Sequence, residues 1–393
     1  MGMKIKKTFL FLIMGAVYDL AISLLPQICR QEGFAFLGHA RHRYEIVKKY
    51  PFFKFLPVWL ADFVLKHLWP LTMSKIEGLR SVDGKPINGW LIIVTMTPKQ
   101  MMEDRDLASK KIVKAAKLAA RKGAKIIGLG GLTASLSRGG MDVVDCFTKK
   151  KGTKIGITTG RAYTSWVVTQ NVFTIAEIIE IKLSDLRVAV VGAAGSIGSA
   201  CASILLREGV KNILLIDVEK KKEILEKIVD DHKSSYDVSL VSVSRHIGDI
   251  KGYDIIISAT NAPEAKIKSE DLSPGAVIVD DAQPSDVDPE IVKTRDDVLV
   301  LEGGIIHAPG INPHFNIGLK HKEDIYCCLA EVMILAYAGW ENNFSIGRLS
   351  FDLVDKIAGI SKGLGFRLAE FQNFQKVITQ NDIDKIKHIR KNF

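Results

Sequence analysis

Apolar positions along the chain gather into short unbroken runs separated by longer stretches of mixed character. The short runs, bounded by glycine, charge or a turn residue, predict buried strands: Gly89-Trp-Leu-Ile-Ile-Val-Thr95, Ala124-Lys-Ile-Ile-Gly-Leu-Gly130, Val188-Ala-Val-Val191, Asn212-Ile-Leu-Leu-Ile-Asp217, Asp254-Ile-Ile-Ile-Ser258, Ala276-Val-Ile-Val-Asp280 and Val298-Leu-Val-Leu301. Between them the Ala- and Lys-rich stretch Arg105 to Lys122 predicts an amphipathic helix, Ala162 to Ile181 a long connecting helix, and Ile325 to Trp340 a further helix. Strands alternating with helices predict an α/β protein: a Rossmann-type doubly wound parallel sheet, an N-terminal α/β domain and C-terminal helices. Changes of pattern divide the chain into an apolar extension (1–33), a first α/β domain (34–160), a second (161–310) and a helical remainder (311–393).

Two apolar stretches do not fit the strand pattern. Thr8-Phe-Leu-Phe-Leu-Ile-Met-Gly-Ala-Val-Tyr18 follows Lys4, Lys6 and Lys7 but meets Asp19 and then Pro26. An aspartate at mid-helix costs about 3 kcal/mol on insertion into a bilayer, so the run predicts an interfacial helix rather than a span. Residues 51–70 mix Phe and Trp with Lys54, Lys66 and His67, which suits either a membrane interface or a helix packed on its own domain. Residues 8–25 and 51–70 are therefore the expected peripheral contacts of a cytoplasmic protein held at the inner face of the membrane.

At 393 residues and 47% apolar content, the chain can build two or three cooperating cores. Its five cysteines, Cys29, Cys146, Cys201, Cys327 and Cys328, show neither disulfide-framework nor C-x-x-C spacing, which points to a reducing compartment without structural zinc. A net charge of +10 suits anionic partners such as lipid headgroups or an acidic carrier protein. No zinc-finger, glycine-arginine or aromatic RNA-binding signature accompanies it, so nucleic acid is not expected. His307, His314 and His321 lack an H-E-x-x-H arrangement, and no metal site is expected.

The run Val188 to Gly198 carries a sharper signal. An apolar strand leads into Gly192-Ala-Ala-Gly195-Ser-Ile-Gly198, and the next strand ends in Asp217. A pyrophosphate needs backbone N–H groups at close range, which a glycine turn opening into a helix supplies. Gly192, Ala194, Gly195, Ser196, Ile197 and Gly198 are thus the expected phosphate cradle. Asp217 is placed to accept hydrogen bonds from the adenosine ribose and to repel a 2′-phosphate, which favours NADH, although Lys220, Lys221 and Lys222 follow closely. Thr260 and Asn261, after the strand ending at Ser258, are expected near the nicotinamide or its ribose.

A second group of motifs adds a thiol. Phe36-Leu-Gly-His39, Gly128-Leu-Gly-Gly131, Thr158-Thr-Gly160, the turn at Gly192, Leu301-Glu-Gly-Gly-Ile305, Cys328-Leu-Ala-Glu331 and Asn343-Phe-Ser-Ile-Gly-Arg348 follow one another along residues 34–360. In this order they resemble the long-chain acyl-[acyl-carrier-protein] reductases that form fatty aldehydes in cyanobacteria. The resemblance implies NADPH as hydride donor, an acyl thioester of a carrier protein or coenzyme A as substrate, and Cys328 as the nucleophile. Adjacent helix positions differ by about 100°, so Cys327 and Cys328 are not expected to share one site. Expected helpers are the backbone around Gly130 and Gly131, the hydroxyls of Thr158 and Thr159, and His321 as a nearby base. Glu331, one turn on, is expected to pair with a lysine rather than to serve as base.

The chain departs from that family at Arg161 and Tyr163, where asparagine and histidine are usual, at Asp217, and at His321-Lys-Glu-Asp324. Two rival readings share the cofactor site. One is an alcohol or hydroxy-acid dehydrogenase of the shikimate dehydrogenase type, with structural thiols. The other is a membrane-associated, nicotinamide-sensing module without catalysis.

Overall fold

The computed structural model describes residues 2–24, 33–40, 51–148, 154–260, 266–282, 285–315, 317–347 and 349–392. Among these residues fourteen strands fall into three sheets. The first contains β1 (Gly33–His39), β2 (Leu71–Ile76), β3 (Asn88–Val94), β4 (Ala124–Leu129) and β5 (Gly156–Thr158), in the order β2-β3-β1-β4-β5, with only β2 antiparallel to its neighbour. The second contains β6 (Arg187–Val191), β7 (Asn212–Ile216), β8 (Val241–Ser244), β9 (Ile255–Ser258), β10 (Val277–Asp280) and β11 (Leu299–Glu302). All its pairs are parallel, in the order β11-β10-β9-β6-β7-β8, which is the doubly wound arrangement expected. A third, antiparallel sheet, β13-β12-β14, is built from β12 (Ile305–His307), β13 (Asp324–Tyr326) and β14 (Arg367–Leu368).

The unbroken apolar runs follow from burial on both sheet faces. In the second sheet Val188, Val190, Ile255 and Ile257 enter one core, and Ala189, Val191 and Ile256 enter the other. The first sheet divides likewise: Ala35, Leu37, Ile92 and Val94 pack under the helix Arg105–Arg121, whereas Phe34, Phe36, Leu91 and Ile93 pack against helices Arg161–Ile178 and Cys327–Tyr337. Each such side chain contributes roughly 1.5–3 kcal/mol when fully buried.

Two features differ from the sequence pattern. The helix predicted from Ile325 begins at Cys327, because Asp324–Tyr326 pairs with β12, with Ile305 opposite Tyr326. The N-terminal segment is a helix, Gly2–Leu24, and Asp19 is the residue that docks it. Asp19 is buried, 2.9 Å from Lys122 Nζ, and accepts from Thr72 N (2.7 Å) and Thr72 Oγ1 (3.0 Å). Among the described residues no helix is long and apolar enough to cross a membrane.

Candidate functional site

Residues from all three sheets wall a cavity of about 310 Å³: Phe36 and His39 from β1, Met73, Leu91 and Ile93 from β2 and β3, Asp280 and Glu302 from β10 and β11, Ile305 from β12 and Tyr326 from β13. Cys327 and Cys328 open into it together with Ser196 and Ile197 of the glycine turn. Thiol and dinucleotide turn, far apart in sequence, thus face one space.

Cys328 is the second residue of its helix and half-buried, while Cys327 is buried and its N–H donates to Gly304 O at 3.0 Å. Both line the cavity, contrary to the expectation from helical spacing, because the cavity wraps the open end of the helix rather than one side of it. Gly160 makes the close fit possible. It has φ +77°, and a Cβ there would lie 2.4 Å from both Cα and Cβ of Cys328. Burial pushes the Cys328 thiol up to about 12, with the Asp281 carboxylate adding to the rise; the N–H groups of Leu329 and Cys328 itself act in the opposite sense. Burial likewise holds the Cys327 thiol well above its ordinary range. Cys328 therefore rests as a neutral thiol and needs a proton acceptor.

Carboxyl groups provide one. Asp280 and Asp281 stand at the C-terminal end of β10 and Glu302 at the end of β11, all three on the cavity wall. Burial, reinforced by Asp286, pushes Asp280 up to about 7; its two oxygens accept from Ala282 N (3.1 Å) and from Ser285 Oγ. Burial and then Asp280 hold Asp281 well above the usual carboxylate range. The Asp281 carboxylate packs on Gly304, where a Cβ would stand 2.1 Å from Asp281 Oδ1. None of these acids is on the expected list. The signal for them was carboxylates ending two apolar strands, the edge at which open α/β sheets bind ligands.

The expected helpers divide. Gly130, Gly131 and Thr159 line the cavity, and the Thr159 hydroxyl donates to Ser345 O at 2.9 Å. Gly131 has φ +55°, and a Cβ there would meet His39 Nε2 at 2.9 Å; that nitrogen accepts from Leu132 N at 3.2 Å. Thr158 is fully buried and turns away to Glu331. Among the described residues Glu331 pairs with no lysine: it accepts from Tyr163 N (2.7 Å), Ser345 Oγ (2.8 Å) and Thr158 Oγ1, and burial raises its carboxyl. His321 lies outside the cavity wall, its Nε2 3.5 Å from Glu370, because it sits in the exposed turn before β13. It is not placed to serve as base. Arg161 lines the cavity, with Nε donating to Ser345 O at 2.7 Å.

At the dinucleotide turn, Gly192 has φ +83°; a Cβ there would meet Ala259 O at 2.6 Å, and one at Gly198 would meet Gly192 O at 2.4 Å. Only glycine fits, and the helix Ser196–Arg207 opens directly from the turn. The residues present therefore fit a pyrophosphate. Asp217 accepts from Ala194 N (3.1 Å) and Val218 N (2.8 Å), with Lys221 Nζ 3.2 Å away, and it borders a recess with Ser244, Arg245 and His246. Thr260 N donates to Asp286 at 3.1 Å, and Asn261 lies outside the described residues.

Residues 174–301 match the Shikimate / quinate 5-dehydrogenase family. The chain is similar to the aminotransferase PigE of a Serratia species, 25% identical over 316 residues covering 79% of this chain; it spans only 36% of that protein's length. It is also similar to the long-chain acyl-[acyl-carrier-protein] reductase of Synechococcus elongatus, 26% identical over 299 residues, or 73% of this chain and 84% of that one. Among solved structures, an NAD-dependent malic enzyme from Thermotoga maritima aligns with a TM-score of 0.42 at 13% identity, over 92% of this chain and 84% of that one. The glycine turn on its doubly wound sheet lies within the matched dehydrogenase region, and together they support an NAD(P)-dependent oxidoreductase.

Proposed function

We propose that the protein reduces a long-chain acyl thioester, carried by an acidic carrier protein or coenzyme A, to the free aldehyde through an acyl-Cys328 intermediate. The observation that carries this reading is the cavity itself, which brings Cys328, the dinucleotide turn and an apolar wall of Phe36, Met73, Leu91 and Ile93 together.

The Asp280–Asp281 pair, singly protonated above neutrality, accepts the Cys328 thiol proton as sulfur attacks the thioester carbonyl. The new C–S bond replaces the carrier's, and the carrier thiolate leaves with a proton returned from the carboxyl pair. N–H groups at the open end of the thiol helix and the backbone at Gly130 and Gly131 stabilise oxygen as it gains charge. A bound dihydronicotinamide supplies hydride. Release of aldehyde breaks the remaining carbon–sulfur bond and returns Cys328 to its resting thiol, reprotonated by the carboxyl pair, which has taken up from solvent the one proton the overall reduction consumes. The apolar wall excludes water and so protects the acyl-enzyme from hydrolysis.

Asp217 favours NADH, since a 2′-phosphate would meet its carboxylate and that of Glu219 in the same recess. The matched dehydrogenase region favours a second reading, oxidation of a small alcohol or hydroxy acid with the cavity acids moving the proton. Intact-protein mass spectrometry separates the two. The thioester reading expects a palmitoyl adduct from palmitoyl-coenzyme A or the palmitoyl carrier protein, absent in Cys328→Ser and discharged as aldehyde on adding NADH. No adduct, with activity insensitive to thiol alkylation, would replace it with the second.

A further inference from the structure

Two helices on the first domain present large apolar side chains outward. On the N-terminal helix the inward positions are Ala16, Asp19 and Ile22, and the outward positions include Ile13, Met14 (58% exposed) and Val17. On helix Val58–His67, Ala61 and Leu65 are buried, whereas Trp59 is 70% and Phe63 58% exposed, with Phe55 just before it at 76%. The two elements are tied at their ends, since Trp69 Nε1 donates to Ala16 O at 3.0 Å.

The inward side of helix Val58–His67 belongs to the same core as Phe36, Met73, Leu91 and Ile93, which wall the thiol cavity. Charge completes the picture. The N-terminal helix opens with Lys4, Lys6 and Lys7, Lys54 lies between Phe53 and Phe55, and the chain carries +10 overall.

We infer that this face docks on the surface of an anionic bilayer. Aromatic and aliphatic side chains enter the acyl boundary, the exposed Lys54 meets the headgroups, and the buried Asp19–Lys122 pair holds the N-terminal helix against the protein, in the membrane plane instead of across it. Exchange of long-chain substrate or aldehyde with the bilayer through this face rests on the thioester reading; the docking itself does not.

The test sediments the full chain with vesicles of phosphatidylcholine alone or mixed with phosphatidylglycerol. The expected result is pelleting with the anionic vesicles, weakened by salt raised to about 1 M, and reduced roughly tenfold or more in a Trp59→Ser/Phe63→Ser double variant. Val82→Ser, at an exposed apolar position outside the two helices, should pellet like the wild type. Wild type remaining in the supernatant, or the double variant pelleting undiminished, overturns the inference. So does light scattering that shows a wild-type dimer split by the double variant, which would make the face a self-association surface. Turnover of a short, water-soluble acyl thioester, assayed alongside, reports the reductase reading separately: it should persist in the double variant, and its absence from wild type would overturn that reading alone.

Discussion

Cys328 is reactive only if its proton has somewhere to go, and the cavity wall offers a carboxyl pair; His39 on the same wall already uses Nε2 to accept from Leu132 N. With Asp280 pushed up to about 7 and Asp281 held well above the ordinary carboxylate range by burial and then by Asp280, the pair gains its second proton as pH falls through neutrality and can no longer accept one. The rate of Cys328 acylation, followed by stopped-flow release of carrier thiol, should therefore fall about tenfold per pH unit below about 7. Asp281→Asn should lower that rate by roughly 10²-fold and flatten the profile; a profile identical to wild type would remove Asp281 from the mechanism. Asp217 acts on the other substrate. Asp217→Asn should raise KM for NADH several-fold and lower that for NADPH, because neutralising the carboxylate weakens ribose binding and lifts repulsion of the 2′-phosphate. Unchanged KM values for both would separate Asp217 from nucleotide choice.

At the scale of elements, Glu331 is the knot of the site. It joins the thiol helix to the end of β5, the start of helix Arg161–Ile178 and the loop at Ser345. Glu331→Ala should cost about 3–5 kcal/mol in chemical denaturation, since it leaves buried donors orphaned, whereas Glu331→Gln should cost less by keeping one acceptor. Equal losses would show that the cavity left by the side chain, not hydrogen bonding, sets the cost. Sequence pattern reveals such elements unevenly. Central strands buried on both faces, such as β6, β7, β9 and β10, stand out as apolar runs. The edge strands β2 and β8 do not, because Leu71-Thr-Met-Ser-Lys-Ile76 and Val241-Ser-Val-Ser244 keep one wetter side, and β5, buried throughout, is only three residues long. Central β1 is also absent from the strands predicted, its run being broken by Gly38 and His39. The start of the thiol helix was illegible for a related reason: Ile325 and Tyr326 of β13 continue the apolar run without a turn residue. Cys328, the glycine turn and Thr159 carried their own motifs. Asp281 did not, since its role arises only where β10 meets β12.

Across the whole molecule, the chain ends by returning to the dinucleotide sheet. Arg390 of the last helix, Gln380–Lys391, reaches Asp254 at the start of β9, and Arg187 donates to the same carboxylate through its backbone N at 2.8 Å and its guanidinium at 3.1 Å. Burial alone would raise Asp254, but hydrogen bonds from Arg187 and Arg390 outweigh it and bring the carboxyl below its ordinary value. A carboxyl depressed by folding stabilises above its unfolded value, near 3.9, and that contribution is lost as pH falls through the folded value. Asp280 has the opposite sign: raised to about 7 in the folded chain, it makes stability fall as pH rises from about 4 to about 7. Two isosteric substitutions should therefore move in opposite directions at pH 8. Asp254→Asn should lower stability by roughly 1–3 kcal/mol, with the difference from wild type closing below about pH 3. Asp280→Asn should raise stability by roughly 1–3 kcal/mol at pH 8 and lose that advantage below about pH 4, while slowing acylation. Urea denaturation across pH measures both. If Asp280→Asn gains nothing at pH 8, the fold does not raise the Asp280 carboxyl, and its titration cannot be what slows acylation below about pH 7.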